Sequence, residues 1–240
     1  QFDKQHETGN PWNFEIPGKG SYKVDDEMVE GLKAGYDKLT EHGWLPWMSC
    51  QPQVNTCIPK FGEYCASSES SAAAYINTII GARTNRESPI NTVYAAYTGC
   101  LPKYGTHLDE NRAAKCIVEL DDETRDNMKG AGDWAALGAC LAEKADNRIM
   151  AVLNLPKVLG PTATKQIVSA CSPGMNDPIM HLMGFTPESP TLEDAFKGNM
   201  PKNVERYKVT MDDIVEMYHH INNIAPAPGP DTAKPVDIDL

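Results

Sequence analysis

Residues 65–112 read CASSESSAAAYINTIIGARTNRESPINTVYAAYTGCLPKYGTHLDENR, and this stretch alternates helix-like segments with loops rich in functional side chains. Its first segment predicts a helix with Ser68 as N-cap and Glu69 in the first turn, where a carboxylate suits the helix dipole. The helix is predicted to end at Gly81, because glycine enters the left-handed conformation without steric cost.

Two polar loops flank a second predicted helix, which starts after Ser88 and stops at Gly99. The loop before it, residues 82–87, carries two arginines and no apolar anchor. The loop after it, residues 104–112, holds an imidazole, two carboxylates, an amide and a guanidinium. Because two such loops joined by a short helix can meet in space, we predict a site for an anionic substrate here.

A structural interpretation of these side chains stays open when each is taken alone. The arginines Arg83 and Arg86 are compatible with ordinary surface ion pairs, which contribute little stability. His107 is compatible with a histidine that donates to a backbone carbonyl. The density of polar groups in loops with little apolar surface favours the functional interpretation.

Composition restricts the class of protein. The sequence has 240 residues and a formal net charge of -11, and no basic stripe could neutralise phosphates, so we expect no nucleic-acid partner. It shows no apolar run of membrane-spanning length and no signal peptide, so no membrane association is expected. Seven irregularly spaced cysteines favour free thiols in a reducing compartment, and we predict a cytoplasmic protein.

After Arg112 the sequence alternates short apolar runs with helix-like segments. Strands are predicted at residues 115–120, 149–155, 178–185 and 236–240, and helices at 133–145, 160–170, from 192, and after Thr210. This order predicts layered α/β architecture with a largely parallel sheet. We divide the chain into residues 1–112, a polar entry segment plus a helical region with the site loops, and residues 113–240, an α/β region.

A family resemblance follows from the order of these motifs. GARTNRE at 81–87 followed by YGTHLDENR at 104–112, with FGEYCASSESSA at 61–72 before them, closely resembles the aconitase X family of iron-dependent hydro-lyases. His181 and the turn GFTPE at 184–188 resemble a further family motif. The chain departs from the family at Tyr64, where a histidine is usual.

The resemblance implies an aconitase-like α/β fold and assigns roles to residues at matching positions. Family members extend beyond both ends of this sequence, so we interpret the chain as the incomplete middle of a larger protein. Cys50 matches the cysteine of a Cys-x-Pro motif that binds iron in the family. We assign catalysis to His107, Glu69 and Ser70. The expected substrate-binding residues are Arg83, Thr84, Asn85, Arg86, Asp109 and Glu110.

The implied activity is the removal of water from a small anionic hydroxy acid. Such a hydro-lyase needs a base for a carbon-bound proton and a Lewis acid, here iron or an iron–sulfur cluster, for the departing hydroxyl. Arginines would hold the anionic group bidentately. Further metal ligands are expected outside this chain, and a second domain or small subunit is expected to complete the site.

Two questions stay open at the level of sequence. Family substrates include a phosphorylated mevalonate and hydroxyprolines, and these residues do not decide between them. The alternative to an enzyme is a non-catalytic fragment or subunit that binds a partner and lacks a complete cluster, because only one cysteine ligand of the family falls within this chain.

Overall fold

The computed structural model describes residues 26–45, 51–54 and 57–224. Helix α1 spans Asp26–Glu41. Cys50 and the strand predicted at 236–240 lie outside the described residues. None of the helices in the described ranges combines the length and apolar character needed to cross a bilayer.

The predicted helix before Gly81 forms in two parts. Helix α2, Ser70–Tyr75, continues directly into a π-helical turn, Ile76–Ile80, and ends at Gly81 with a left-handed φ of 74°. π-Helical turns are rare and often lie at functional sites.

The cap of α2 differs from the prediction. Glu69 is the N-cap, because its carboxylate accepts a hydrogen bond from the Ala72 amide at 2.6 Å, whereas Ser68 lies one residue too early. Helix α3, Pro89–Thr98, is capped by Ser88 as predicted. It ends at Gly99, again in the left-handed conformation.

The second half of the chain contains a four-stranded sheet in which all neighbouring strands are parallel, in the order β3-β2-β1-β4. This confirms the predicted α/β class. The strands are β1 (Cys116–Leu120), β2 (Met150–Leu153), β3 (His181–Leu182) and β4 (Glu205–Val209).

Two strands differ from the sequence expectation. The run predicted at 178–185 contributes only two residues to the sheet, because Phe185 and Thr186 both donate their amides back to the carbonyl of Leu182 and turn the chain. Strand β4 was not predicted. Most of its residues are exposed, so it lacks the apolar run by which buried parallel strands are recognised.

Helices cover both faces of this sheet unequally. The helices of this region are α4 (Asp122–Asn127), α5 (Ala131–Lys144), α6 (Pro161–Cys171), α7 (Leu192–Ala195) and α8 (Met211–Ile224). One face of the sheet carries the main core against α5, α6 and α8, and the other carries a smaller cluster that includes Phe196, directly after α7. Helix α2 also packs against α6, so the site loops rest directly on the α/β layer.

Candidate active site

The structure brings the two polar loops into direct contact. Thr106 donates its amide to the Asn85 side-chain oxygen at 2.8 Å and its hydroxyl to the carbonyl oxygen of Thr84 at 2.6 Å. Arg83 forms an ion pair with Asp109, with Nη2 and Oδ1 2.5 Å apart. The two loops therefore form one surface.

Gly105 permits this close approach. Its φ is 57°, and a Cβ atom there would lie 2.2 Å from Oδ1 of Asn85. A side chain would both strain the backbone and push the two loops apart, so glycine is required by conformation and by space.

A buried arginine lies beneath the contact. Arg112 is fully buried and donates Nη1 to Oδ1 of Asn77 at 2.8 Å and to the carbonyl oxygen of Thr106 at 2.7 Å. Its Nε and Nη2 both donate to the carboxylate of Glu188. One guanidinium thus joins the π-helical turn, the second loop and the GFTPE turn.

The Arg112–Glu188 pair was missed at the level of sequence. Each residue is a charged member of one of the quoted motifs, and that charge was the only available signal. Nothing in the sequence indicates that the two side chains form a pair. Burial alone would raise the pKa of Glu188, yet the hydrogen bonds and charges of Arg112 and Lys197 hold that pKa below its ordinary value.

His181 completes the buried network. Its Nε2 lies 2.7 Å from the carbonyl oxygen of Arg112, and its Nδ1 lies 3.0 Å from the Ser189 hydroxyl. Burial lowers the pKa of His181 to about 4, against an opposing hydrogen bond to the Arg112 carbonyl. The ring is therefore neutral at physiological pH, with Nε2–H donating to that carbonyl.

His107, the predicted acid or base, is 2% exposed. Its Nδ1 lies 3.1 Å from the carbonyl oxygen of Pro102, which can only accept, and 3.4 Å from Nδ2 of Asn85, which can only donate. We assign the proton to Nδ1 because the contact with Pro102 is the shorter one. Nε2 is then an unprotonated nitrogen, and it is buried without a hydrogen-bond partner in the described structure. The rings of Tyr64 and Tyr104 meet the His107 ring edge-on.

The two predicted anion-binding arginines face different neighbours. Arg83 pairs with the exposed Asp109 through Nη2, while its Nη1 is buried without a partner among the described residues. Arg86 donates Nη1 to the carbonyl oxygen of Met175 at 2.8 Å and Nη2 to that of Ser172 at 2.5 Å, just after α6. Only Nε of Arg86 is buried without a described partner.

Other predicted residues have structural contacts or none. The Glu69 carboxylate accepts from the Ser71 hydroxyl and the Ala72 amide, so it caps α2. Ser70 is the first residue of α2 and partly buried, and Glu110 is exposed. Thr84 and Asn85 are buried, and both accept hydrogen bonds from Thr106 where the two loops meet.

The described residues do not offer a donor set that fits iron or an iron–sulfur cluster. No group of three or more His, Cys, Asp or Glu side chains within these residues is arranged to hold a metal ion. Cys65 donates its thiol to the Arg83 carbonyl oxygen, with the two atoms 3.7 Å apart. Burial raises the pKa of Cys65 to about 12, which opposes the thiolate a metal requires.

Comparison with known proteins now identifies the family. Models of the aconitase X first domain and second domain match residues 6–110 and 114–219. The chain belongs to the aconitase X family. The resemblance that the motifs predicted is thereby confirmed, while the division at residues 112 and 113 stays a prediction.

Two relatives of this chain are named as dehydratases. The phosphomevalonate dehydratase large subunit of Thermococcus kodakarensis is 34% identical over 164 residues, 68% of this chain and 41% of the relative. The cis-3-hydroxy-L-proline dehydratase of Hypocrea jecorina is 30% identical over 207 residues, 85% of this chain and 34% of the relative.

A solved structure supports the same fold. Aconitase X from Thermococcus kodakaraensis, in its holo form, matches with a TM-score of 0.68 and 29% identity, over 82% of this chain and 48% of that chain. The chain therefore spans less than half the length of these relatives.

Proposed function

We propose that this chain contributes the substrate-anion site and the proton-accepting base of an aconitase X dehydratase. One observation carries the proposal. Three polar atoms of the two loops are buried without a hydrogen-bond partner among the described residues, namely Nη1 of Arg83, Nε of Arg86 and Nε2 of His107. Buried polar groups are nearly always paired, so these unpaired atoms of the two contacting loops point to a ligand.

The chemistry of these atoms specifies the ligand. Arginine N–H groups only donate and require an anion or a carbonyl oxygen. The Nε2 nitrogen of His107 accepts, because Nδ1 carries the proton, and it requires a donor. A small hydroxy acid has both an anionic group and a hydroxyl, whereas a simple inorganic dianion satisfies only the arginines.

Dehydration breaks one carbon–hydrogen bond and one carbon–oxygen bond. In our proposal, neutral His107 takes the proton on Nε2, and the electron pair of the broken carbon–hydrogen bond forms the double bond. Arg83 stabilises the negative charge that develops on the adjacent anionic group. The hydroxyl leaves with the electron pair of its bond to carbon, and the described residues assign no group to it.

Our proposal includes an iron centre and a partner subunit, and we assign none of the described residues to either. A cluster would have to be held by Cys50 together with groups other than the described residues, because those residues provide no fitting donor set. Several relatives are named as large subunits, which supports a small subunit as the partner.

Binding is tested on the full-length natural protein by isothermal titration calorimetry. The ligands are mevalonate 5-phosphate and cis-3-hydroxy-L-proline, since relatives act on substrates of these names. We expect one of them to bind, and Arg83→Lys to weaken binding by about tenfold or more because lysine lacks the planar fork. His107→Gln should weaken binding less than Arg83→Lys.

Arg206→Lys is the matched control, because Arg206 is exposed on β4 in the α/β layer, away from the two loops. Equal losses in Arg83→Lys and Arg206→Lys would show that general charge, and not this site, governs binding. Binding of a partner protein without binding of either ligand would instead support the non-catalytic alternative.

A further inference from the structure

Tyr64 occupies a distinctive place in the candidate site. It precedes Cys65 on the segment that pairs with the first loop, where Tyr64 and Arg83 form a parallel β-bridge. This bridge fixes the backbone of Tyr64 beside Arg83, so backbone hydrogen bonds hold the Tyr64 side chain at the site. Among the described residues, its hydroxyl has no hydrogen-bond partner.

The Tyr64 ring contacts both groups that the proposed function uses. The centroids of the Tyr64 and His107 rings are 5.7 Å apart at an interplanar angle of 67°, an edge-on contact. The Arg83 guanidinium carbon lies 6.0 Å from the Tyr64 ring centroid, within range of a cation–π contact. Tyr64 thus bridges the proposed base and the proposed anion-binding cation.

The exposed fractions of the side chains show that Tyr64 lies closer to solvent than His107 does. Tyr64 is 50% exposed, while His107 is 2% exposed and the unpartnered Nε2 has essentially no accessible surface. Tyr104, 47% exposed, meets the same imidazole edge-on with a centroid distance of 6.4 Å. Two half-exposed aromatic rings therefore contact the buried imidazole.

We propose that Tyr64 is a substrate-contacting, specificity-determining residue, whose ring closes the approach to His107 and whose hydroxyl reaches the bound anion. This inference rests on the proposed function for the identity of the ligand, but the closure of His107 does not. The Tyr64 hydroxyl suits an anion because it can donate a hydrogen bond beside Arg83. The Tyr64 ring limits the width of the group that reaches His107.

Closure is tested by acylation of histidines with diethyl pyrocarbonate in the full-length protein, followed by peptide mass spectrometry. We expect His107 to react slowly in the wild type and in Tyr64→Phe, which keeps the ring. Tyr64→Ala should accelerate the reaction of His107 by about tenfold, equivalent to ~1.4 kcal/mol of easier local opening. Exposed His219 is the internal reference for reagent reactivity.

Contact with the anion is tested by the affinity for inorganic phosphate, measured from the phosphate-dependent shift of the unfolding temperature. Tyr64→Phe removes only the hydroxyl and should weaken phosphate binding by about three- to tenfold, as expected for one lost hydrogen bond. Tyr94→Phe is the matched control, since Tyr94 is 63% exposed on α3. It should leave both readouts unchanged.

The outcomes separate the two levels of the proposal. Unchanged acylation of His107 in Tyr64→Ala would overturn the closure. Equal phosphate affinity in wild type and Tyr64→Phe, or no phosphate binding at all, would overturn the contact. Slow acylation in the wild type and fast acylation in Tyr64→Ala, with no binding of any hydroxy acid, would instead refute the proposed function while retaining closure.

Discussion

Arg112 and Glu188 form an ion pair whose side chains are 0% and 6% exposed, with Nη2 and Oε2 2.6 Å apart. Glu188→Gln removes the negative charge and leaves the guanidinium buried without its counterion. We expect a loss of roughly 3–5 kcal/mol in the free energy of unfolding, as for other broken buried pairs. Urea denaturation at neutral pH measures it.

The control for this prediction is an exposed pair of the same chemistry. Arg125 and Asp126 pair on the surface with the Asp126 side chain 63% exposed, so Asp126→Asn should change the free energy of unfolding far less than Glu188→Gln does. Similar small effects for Glu188→Gln and Asp126→Asn would contradict the role given to Arg112.

His181 makes stability depend on pH. Burial lowers the pKa of His181 from 6.5 to about 4, so the unfolded chain binds the proton more readily than the folded protein. The contribution is therefore fully present above pH 6.5 and is lost progressively as the pH falls toward 4. Melting temperatures between pH 8 and 5 should fall less steeply in His181→Gln than in the wild type; parallel curves would refute this assignment.

The sequence predicted the α/β class because β1 and β2 are buried apolar runs and α5 and α6 begin and end near recognisable signals. It missed β4, where Glu205, Arg206 and Lys208 are exposed and no apolar period marks the strand. The predicted β3 was also too long. Thr186 turns the chain through hydrogen bonds to Leu182, and the apolar run gives no sign of them.

Gly138 sets the distance between α5 and α6. A Cβ there would lie 2.2 Å from the carbonyl oxygen of Ile167, a backbone atom that cannot move independently of its helix. Gly138→Ala should lower the free energy of unfolding by about 1–3 kcal/mol, the usual range for overpacking. Thermal and urea denaturation both report it.

Gly35 provides the opposite control on the helix α1. Among the residues that the structure describes, nothing lies within 4 Å of a Cβ at this position, so Gly35→Ala should stabilise the protein by up to about 1 kcal/mol through helix propensity. Destabilisation by both substitutions would show that the close approach of α5 and α6 is not the cause.

Asp109 was predicted to bind substrate, but it is itself an anion bound to Arg83. Its side chain is 71% exposed, so we infer that it competes weakly with an incoming anion. Asp109→Asn should tighten phosphate binding by about two- to fivefold, the range expected from an exposed ion pair. Weaker binding, measured by the phosphate-dependent melting temperature, would show that Asp109 instead orients Arg83 for the ligand.

For the candidate site, the motifs correctly indicated which loops come together, because Arg83, Asn85 and His107 lie in two segments rich in polar residues. The sequence could not indicate that Arg86 would bind the carbonyls of Ser172 and Met175, since those contacts span 86 and 89 residues of chain. The N-cap of α2 is Glu69, one residue after the predicted Ser68.

The most direct test of the account is turnover by the full-length natural protein, reconstituted anaerobically with iron and sulfide. Wild type and His107→Gln are compared with mevalonate 5-phosphate and with cis-3-hydroxy-L-proline, and NMR spectroscopy follows the appearance of the unsaturated product. We expect the wild type to dehydrate one of these substrates and His107→Gln to reduce kcat by about 10²-fold or more. Equal kcat in the two proteins would contradict the assignment of His107 as the proton-accepting base.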